Sequence, residues 1–418
     1  MEPDPANTGG GIKMDYYDEK YKNLRDSLDK KPWNSYDTLI FITISISFFM
    51  WGIALSIAPL VTTWYFVPPS IDIYIIAASP VGLLSGNLIL GTLSDKFGRK
   101  KLFLSTVIIT VIGLSGIAIS YNYISLIFLI FIAEFGLGGD ETLSLSFLSE
   151  YLPLKSRGFS LIESSNMANI AITFMAGIFV LFGSSVYSQK LSLGIIAIVG
   201  FLIAFITRLK LRESIRWEFN ERKKFSMKID LKSVLKFISL SFIGIAIIVG
   251  FAFSDLVIGP YKFPQYTDLI IFFSVLSESV VGIAGGYFFG KSKRKIISFI
   301  GFTGLLVSWV FVVLFIHEIL INIYYLIIIL VINGGFGEMG WASRVMLEPE
   351  NFITKFRGTG IGSVRSVGYI LYIFTVFALF SADIYEYAYY ILIIYLIGFA
   401  GSLLYFIFGS ETKNKSIY

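Results

Sequence analysis

The amino-acid sequence predicts an all-α membrane protein in which twelve transmembrane helices form two pseudo-symmetric six-helix bundles. The prediction depends on an apolar composition and on a pattern of short charged loops that occurs twice along the chain. Of the 418 residues, 55% are hydrophobic and 15% are charged, and the mean hydropathy is +0.75. Soluble domains carry about 25% charged residues, so a soluble chain of this length could not bury so much apolar surface.

Twelve apolar runs have the length of a membrane-spanning helix, which needs about 20 residues. The runs are 38–66, 71–94, 101–121, 123–149, 158–183, 191–210, 233–259, 268–290, 296–318, 320–347, 358–381 and 386–409. They are longer than the strands of membrane barrels and do not alternate in polarity. The preceding residues, 1–36, are polar, and the first run is too long for the core of a signal peptide. No cleavable signal peptide is therefore expected.

The distribution of positive charge predicts the orientation of the chain. With the N-terminus inside, all but four of the 34 Lys and Arg residues lie in loops and tails on one side; the exceptions are Lys190, Lys262, Arg344 and Arg365. Because cytoplasmic loops carry this excess of positive charge, we expect a multi-pass protein of the plasma membrane with both termini in the cytoplasm. The net charge of +5 then reflects topology, not a nucleic-acid partner. The absence of Cys excludes disulfides and thiolate metal sites.

A basic linker and two duplicated motifs divide the chain into halves. The predicted units are a tail (1–36), an N-terminal bundle (37–210), a linker (211–232), a C-terminal bundle (233–409) and a second tail (410–418). The motif "GTLSDKFGRKK" at 91–101 returns as "GYFFGKSKRKI" at 286–296, and "EYLPLKSRG" at 150–158 returns as "ENFITKFRG" at 350–358. Each pair occupies the same loop of its half, so we expect a pseudo-two-fold axis along the membrane normal.

Several of these motifs resemble signatures of the major facilitator superfamily of transporters. "GTLSDKFGRKK" resembles its loop 2–3 signature, and "GLGGDETLSLSFLSEYLPLKSRG" at 136–158 is similar to the helix-4 signature of its sugar-porter, phosphate-symporter and aromatic-acid or synaptic-vesicle-protein-like branches. "RESIRW" at 212–217 and "ETKNKS" at 411–416 are similar to the patterns after helices 6 and 12, and "LDKKPWNSYD" at 28–37 to the lead of aromatic-acid members. The resemblance covers nearly the whole chain and implies alternating access between two bundles.

The departures from these patterns bear on the substrate. Ile130 stands where helix 4 of the family begins with Arg, and Glu134 stands where Gly is usual. The paired Asp of aromatic-acid carriers is missing from "MWGIA" at 50–54, and helix 7 lacks the Gln residues of sugar porters. The resemblance therefore implies the fold more strongly than the substrate.

Charges at the loop ends are predicted to form a cytoplasmic gate. A purely topological signal would explain the Lys residues but not Asp95 opposite Arg99, or Glu150 on the same face. Single exposed ion pairs contribute about 0–1 kcal/mol, whereas a network at a closing interface can bias a two-state equilibrium. The resemblance implies the same role for two sets of residues: Asp95, Arg99, Glu150, Arg157, Glu213 and Arg216, then Arg294, Glu350, Arg357 and Glu411. Gly290 replaces the Asp of the second set.

Ionisable residues inside the apolar runs are candidates for proton coupling and substrate binding, because such residues cost about 2.5–3.5 kcal/mol or more in a membrane. The proton-coupling candidates are Glu134, Asp140, Glu141 and Glu163. The substrate-cavity candidates are Asn166, Asn169, Asp255, Glu278, Glu338 and Arg365. Asp140 lies ten residues from Glu150, about 15 Å along a helix and close to the bilayer midplane. The acids outnumber Arg344 and Arg365, so some must be protonated or face water.

The two intramembrane arginines have different predicted roles. Arg344 is only about four residues from a loop, so it is assigned to the gate. Arg365 is about two turns into helix 11 and is the better candidate for binding an anion, since Arg supplies donors suited to carboxylate or phosphate.

The sequence predicts a secondary active transporter that moves a small organic anion or phosphate together with protons. The alternatives are a sugar or polyol carrier, an organic-cation carrier, and a non-transporting sensor on a carrier fold. No nucleotide-binding loop, metal-ligand cluster or nucleophile arrangement is present, so neither a cofactor nor an enzymatic activity is expected. The expected partners are a small polar solute, protons and the lipid bilayer, with no nucleic acid, and the chain is expected to be a monomer.

Overall fold

The computed structural model describes Asn23 and residues 26–183, 185–220 and 231–416. Most of the predicted N-terminal tail, the centre of the linker (221–230) and the last two residues lie outside the described residues. Within the described ranges, twelve helices are long and apolar enough to cross a membrane, and there is no β-strand. The predicted fold class is confirmed.

The membrane-spanning helices are numbered α1–α12. In the N-terminal half they are α1 (Ser35–Val61), α2 (Asp72–Phe97), α3 (Arg99–Ile119), α4 (Tyr123–Tyr151), α5 (Leu154–Phe182) and α6 (Val186–Leu209). In the C-terminal half they are α7 (Leu231–Lys262), α8 (Thr267–Phe289), α9 (Arg294–Leu314), α10 (Tyr324–Asn351), α11 (Arg357–Phe380) and α12 (Ile384–Phe408). Short helices at Ile215–Asn220 and Ile316–Ile321 follow α6 and α9.

Local sequence explains where the first helices begin and end. Asn34 starts α1, because its side chain accepts from the backbone N–H of Tyr36 and Asp37, while Asp37 accepts from Asn34 N at 3.1 Å. Such a capping box satisfies donors that have no partner inside the helix. Gly98 separates α2 from α3 with φ at +95°, a conformation that other residues rarely adopt. The glycine of "GTLSDKFGRKK" thus lets two membrane helices meet in a one-residue turn.

The two halves meet along two helix pairs, α2 with α11 and α5 with α8. Both pairs approach closely at glycines near one end of the bundle. A Cβ atom added at Gly358 would lie 2.6 Å from the carbonyl oxygen of Gly91, and one added at Gly158 would lie 2.8 Å from that of Gly290. Since Gly158 and Gly358 come from the two copies of one duplicated motif, the contacts follow the predicted pseudo-symmetry. We call this end of the bundle, which carries loops 2–3, 4–5, 8–9 and 10–11, the gate face.

Helix α7 is irregular at its centre. It contains two π-helical stretches, Ala246–Gly250 and Ala252–Val257. Segments of this kind are frequent at functional sites because they widen the helix and redirect side chains. The second stretch carries Asp255, which is buried between the halves. The limits of the two predicted bundles stay a prediction, although α6 ends at Leu209, near the expected boundary.

Candidate functional site

Two small chambers lie between the halves, around α1, α7 and α10. Asp255, Glu278 and Asn333 supply polar groups to the first chamber, and Arg344 and Tyr369 supply polar groups to the second. Their volumes are about 10 and 20 Å³, which is room for about one water molecule each. The chambers are therefore nearly closed in this structure.

A pair of tryptophans from opposite halves borders both chambers. Trp51 of α1 and Trp341 of α10 have ring centroids 5.7 Å apart, and both side chains line both chambers. Aromatic pairs with this spacing contribute about 0.5–1.5 kcal/mol beyond their buried area. The pair forms a thin apolar wall at the centre of the molecule, where the halves meet.

Three carboxyl groups, those of Asp255, Glu278 and Glu338, cluster at the first chamber. They are 1%, 5% and 0% exposed, and Glu278 interacts electrostatically with the other two. No described Lys or Arg forms an ion pair with any of the three. Burying an unpaired carboxylate costs several kcal/mol, so the cluster needs protons or a bound partner.

The hydrogen bonds of the cluster leave two acceptors unused. Asn169 Nδ2 donates to Glu338 Oε2 at 2.7 Å, and Ser254 Oγ donates to Asp255. Tyr395 OH lies 3.0 Å from Ser254 Oγ. Asp255 Oδ1 and Glu338 Oε1 are buried and receive no hydrogen bond from the described residues. Buried polar atoms without partners are rare in proteins, and Asp255 lines the first chamber, where a solute or water would complete it.

Three hydrogen-bond donors are unused at the second chamber, and two of them, on Trp51 and Trp341, belong to side chains that also line the first. Trp51 Nε1, Trp341 Nε1 and Arg344 Nη2 are buried, and none donates to a described atom. All three side chains line the second chamber. Arg344 lies 5.4 Å from the ring centroid of Trp341. Its Nε atom donates to Glu348 at 2.8 Å, so the guanidinium is held at one edge and open at the other.

Arg365 joins the two halves beside Tyr369, which lines the second chamber. Its guanidinium forms ion pairs with Glu141 of α4 and, at 2.6 Å, with Glu348 of α10. Tyr369 OH donates to Glu141 at 3.4 Å. Glu348 therefore binds both Arg344 and Arg365, and Arg365 is 0% exposed. Its predicted role in substrate binding stays a prediction.

The proton-coupling candidates of α4 have unlike surroundings. Asp140 forms an ion pair at 2.7 Å with Arg208 of α6 and accepts from Thr106 Oγ1 at 2.7 Å. Glu134 accepts only from Ser79 Oγ, at 3.0 Å, and its Oε2 receives no hydrogen bond from the described residues. Asp140 is thus neutralised inside the N-terminal half, and Glu134 is not.

Glu163 and Asn166 lie at the contact between α5 and α8. Asn166 Nδ2 donates to Ser279 O at 3.0 Å, and a Cβ added at Gly282 would overlap its amide. Glu163 packs against Gly286 in the same way, and it also borders an apolar groove between α1, α5 and α6. The glycines of α8 therefore make room for polar groups of the other half.

The first predicted gate set forms a connected network. Arg99 pairs with Asp95 at 2.5 Å and with Glu150 at 3.3 Å. Arg357 of the other half pairs with the same Glu150 oxygen at 2.7 Å. Asp95 also accepts from the backbone N–H groups of Gly358 and Thr359, at 3.2 and 2.8 Å. The network caps the start of α11 and holds the halves together at the gate face.

The second set follows the same plan with fewer contacts between the halves. Arg294 pairs with Glu350 at 3.2 Å, and Glu411 accepts from Arg294 N at 3.1 Å. In the first set, Glu213 likewise accepts from Arg99 N at 2.8 Å. At Gly290 there is no acid to cap α5.

Comparison with known proteins decides the family. Residues 40–374 match the Major Facilitator Superfamily. The chain belongs to the Major Facilitator Superfamily. This superfamily consists of transporters and not of enzymes, as the sequence motifs predicted.

Several relatives and solved structures resemble this superfamily member. It is 39% identical over 114 residues to low affinity inorganic phosphate transporter 4 of Medicago truncatula and 32% identical over 131 residues to inorganic phosphate transporter 1-1 of Arabidopsis thaliana. These matches cover 26% and 30% of this chain but only 22% and 25% of the plant proteins. The proton:xylose symporter XylE bound to 6-bromo-6-deoxy-D-glucose shares the fold with a TM-score of 0.74 at 14% identity, covering 92% of this chain and 98% of that chain.

Sequence reasoning missed several residues of the candidate site. The charge count places Arg208 among the cytoplasmic loop residues, yet it is the last charged residue of α6 and is buried against Asp140. Glu348 was overlooked, although its spacing of four from Arg344 is typical of a helical ion pair. Arg344 was assigned to the gate, and it lines the second chamber. Trp51 and Trp341 carried no signal, because aromatic residues are abundant throughout the chain.

Proposed function

We propose that the protein is a secondary active transporter that carries phosphate, or a small organic anion, together with protons by alternating access. The observation that supports the anion is the set of three unused donors, Trp51 Nε1, Trp341 Nε1 and Arg344 Nη2. All three are N–H groups, which only an acceptor can satisfy, and the cation among them favours a negative charge. Phosphate suits Arg because its oxygens match the planar set of guanidinium donors.

Proton coupling follows from the acids beside these donors. An anion entering the first chamber would be repelled by ionised Asp255, Glu278 and Glu338. With protons bound, the same carboxyl groups become hydrogen-bond donors to the anion. Binding of the anion therefore requires uptake of protons, and release of either promotes release of the other.

Monobasic phosphate has the hydrogen-bonding groups that this site needs. Its unprotonated oxygens accept from the arginine and the indoles, and its hydroxyl groups donate to acceptors such as Asp255 Oδ1 and Glu338 Oε1. The names of the plant relatives, inorganic phosphate transporters, support the same substrate. The positive-inside bias supports a cytoplasmic gate face.

The acid cluster supports one other class, an organic cation. Asp255 and Glu278 could pair with an ammonium group, and the faces of Trp51 and Trp341 could bind it by cation–π interaction. In that case protons and substrate would compete for the carboxylates and move in opposite directions. The direction of the pH effect therefore separates the two proposals.

The test is uptake into proteoliposomes with an imposed pH gradient. Labelled phosphate, acetate, xylose and guanidinium are offered separately, with the outside at lower or at equal pH. We expect phosphate to accumulate when the outside is more acidic, and acetate to exceed its level in protein-free liposomes, because acetic acid crosses lipid without a carrier. If guanidinium is taken up and outside acid slows that uptake, the substrate is an organic cation and not an anion. If the pH gradient changes the uptake of none of the solutes, transport is not coupled to protons.

A further inference from the structure

The two halves of the gate differ at one pair of equivalent positions. Asp95 of the first set caps the start of α11, whereas the second set has Gly290 in its place. An acid could not simply be restored there. A Cβ added at Gly290 would lie 2.8 Å from Phe159 N and 3.1 Å from the carbonyl carbon of Gly158. The start of α5 occupies the space of the missing side chain.

The two halves also differ at Arg157, near the start of α5. Its counterpart Arg357 reaches directly across to Glu150 of the other half. The acid equivalent to Glu150 is Glu350, which binds Arg294 and Thr412 Oγ1, the latter at 2.5 Å, and interacts with Arg157 only electrostatically. Arg157 is 1% exposed, and the carboxylate with which it forms an ion pair is a different one.

Asp29, from the segment before α1, supplies that carboxylate. Its Oδ1 lies 3.1 Å from Arg157 Nη2 and 2.6 Å from Arg216 Nη2. Its other oxygen, Oδ2, accepts from Ser416 Oγ in the segment after α12. Arg157 Nη1 donates to Lys415 O at 3.4 Å in that same segment. Asp29 is only 5% exposed, although it lies outside the membrane helices.

We propose that Asp29 is a gating residue, the acidic partner of two arginines of the first set, Arg157 and Arg216. It positions Arg157 and Arg216 in the N-terminal half and, through Ser416, links them to the C-terminal half. We call the contacts of Asp29 with Arg157, Arg216 and Ser416 the tail clasp. Separation of the halves at the gate face must break the link to Ser416. The clasp therefore stabilises the state in which the gate face is closed.

The proposal depends on alternating access and not on the identity of the substrate. Removing one member of a buried ion pair is strongly destabilising, because it leaves a charge buried without a partner, whereas removing an exposed pair costs little. Asp26 provides a comparison on the same segment. It pairs with Lys30 at 3.7 Å, with side chains 40% and 79% exposed, so its loss should leave the gate unchanged.

The experiment is a distance measurement across the gate face, and the absence of native Cys makes it direct. Spin labels are attached at Lys155→Cys and Lys293→Cys, two exposed positions on opposite halves. Double electron–electron resonance then gives the closed and open populations in nanodiscs without substrate. Asp29→Asn, Ser416→Ala and Asp26→Asn are compared in this background, with thermal melting of each.

We expect Asp29→Asn to raise the ratio of open to closed protein by about tenfold, within the usual range of coupling between a site and a two-state equilibrium. Ser416→Ala, which keeps both arginine contacts, should raise it by a smaller factor, and Asp26→Asn should leave it unchanged. Asp29→Glu should restore the closed population. If Asp29→Asn lowers the melting temperature and neither it nor Ser416→Ala changes the distance distribution, the role of Asp29 is structural and the proposal is wrong.

Discussion

The gate face and the central chambers differ in whether their buried polar and charged groups have partners. At the gate face each of these charges is paired: Arg99 and Arg357 both bind Glu150, and Asp95 binds Arg99 and also caps a helix, although Arg99 Nε donates to no described atom. In the chambers, Asp255 and Glu338 keep an oxygen without a donor, and Arg344 keeps a donor without an acceptor. A satisfied network stabilises one conformation. Buried donors and acceptors that lack partners are satisfied when a solute or a proton binds, and they lose that partner when it leaves.

The difference also explains why both kinds of charge can exist in one bundle. A buried ion pair gains little over apolar packing, but loss of one member is costly. The ion pairs of the gate network are therefore expected to form together and to separate together. The chamber groups are neutral only when protons or solute are bound, so they are suited to coupling.

The largest effect is expected at the acid cluster. Glu338→Gln and Asp255→Asn mimic the protonated carboxyl groups and can no longer release a proton. Each variant should lose accumulation driven by a pH gradient but keep exchange of labelled for unlabelled phosphate. Uptake and exchange in proteoliposomes are compared, with the exposed Glu218→Gln as control. Gradient-driven accumulation at the native level in both variants would show that the cluster does not couple.

The next largest effect is expected at the unused donors. Arg344→Gln removes the cation that faces the second chamber, and phosphate affinity should fall by about 30-fold or more, about 2 kcal/mol, the lower end for truncating a buried charge pair. Binding is measured by isothermal titration of the purified protein. Arg212→Gln, the same change at an exposed position, should bind normally. Native affinity in Arg344→Gln would exclude Arg344 from the site, and Arg365→Ala would then test the other arginine.

A smaller effect is expected at the satisfied network. Asp95→Asn keeps the size of the side chain and loses the charge that caps α11 and pairs with Arg99. Net transport should fall by about tenfold, because a change of 1.4 kcal/mol in closure has that effect on a two-state equilibrium, and phosphate affinity should hardly change. Initial rates and equilibrium binding are measured on one preparation. If Asp95→Asn transports at the native rate, the charged loop only determines the topology and does not act as a gate.

The sequence predicted the fold and the gate better than the chambers. Twelve apolar runs and a duplicated loop are long-range patterns, and each gate residue belongs to a motif of fixed spacing. Glu150 and Arg357, for example, lie 207 residues apart in sequence and pair at 2.7 Å; this pair joins the two predicted sets and was not itself predicted, and the gate role stays a prediction. The helix count and family are confirmed.

The chambers could not be predicted because they depend on how helices rotate and bend. Depth along α10 suggested that Arg344 lies near a loop, but its side chain is directed to the centre of the bundle beside Trp341. The sequence groups Asp140 with unpaired acids because Arg208, at the end of its apolar run, counts there as a cytoplasmic loop charge. The π-helical stretches of α7, which carry Asp255, leave no periodic signal in an apolar sequence.

The smallest effect is expected at Glu134, and it tests whether unused acceptors are neutral in the folded state. Glu134 Oε1 accepts from Ser79, and Oε2 is buried without a described donor. A protonated Glu and a Gln have nearly the same shape, so Glu134→Gln should change the free energy of unfolding by less than about 1 kcal/mol. Asp140→Asn is the matched comparison on the same helix. It leaves Arg208 buried without its carboxylate and should cost about 3 kcal/mol or more. Chemical denaturation in detergent measures both variants. Equal losses would mean that Glu134 is ionised in the fold, and the contrast between satisfied and unsatisfied charges would then not extend to α4.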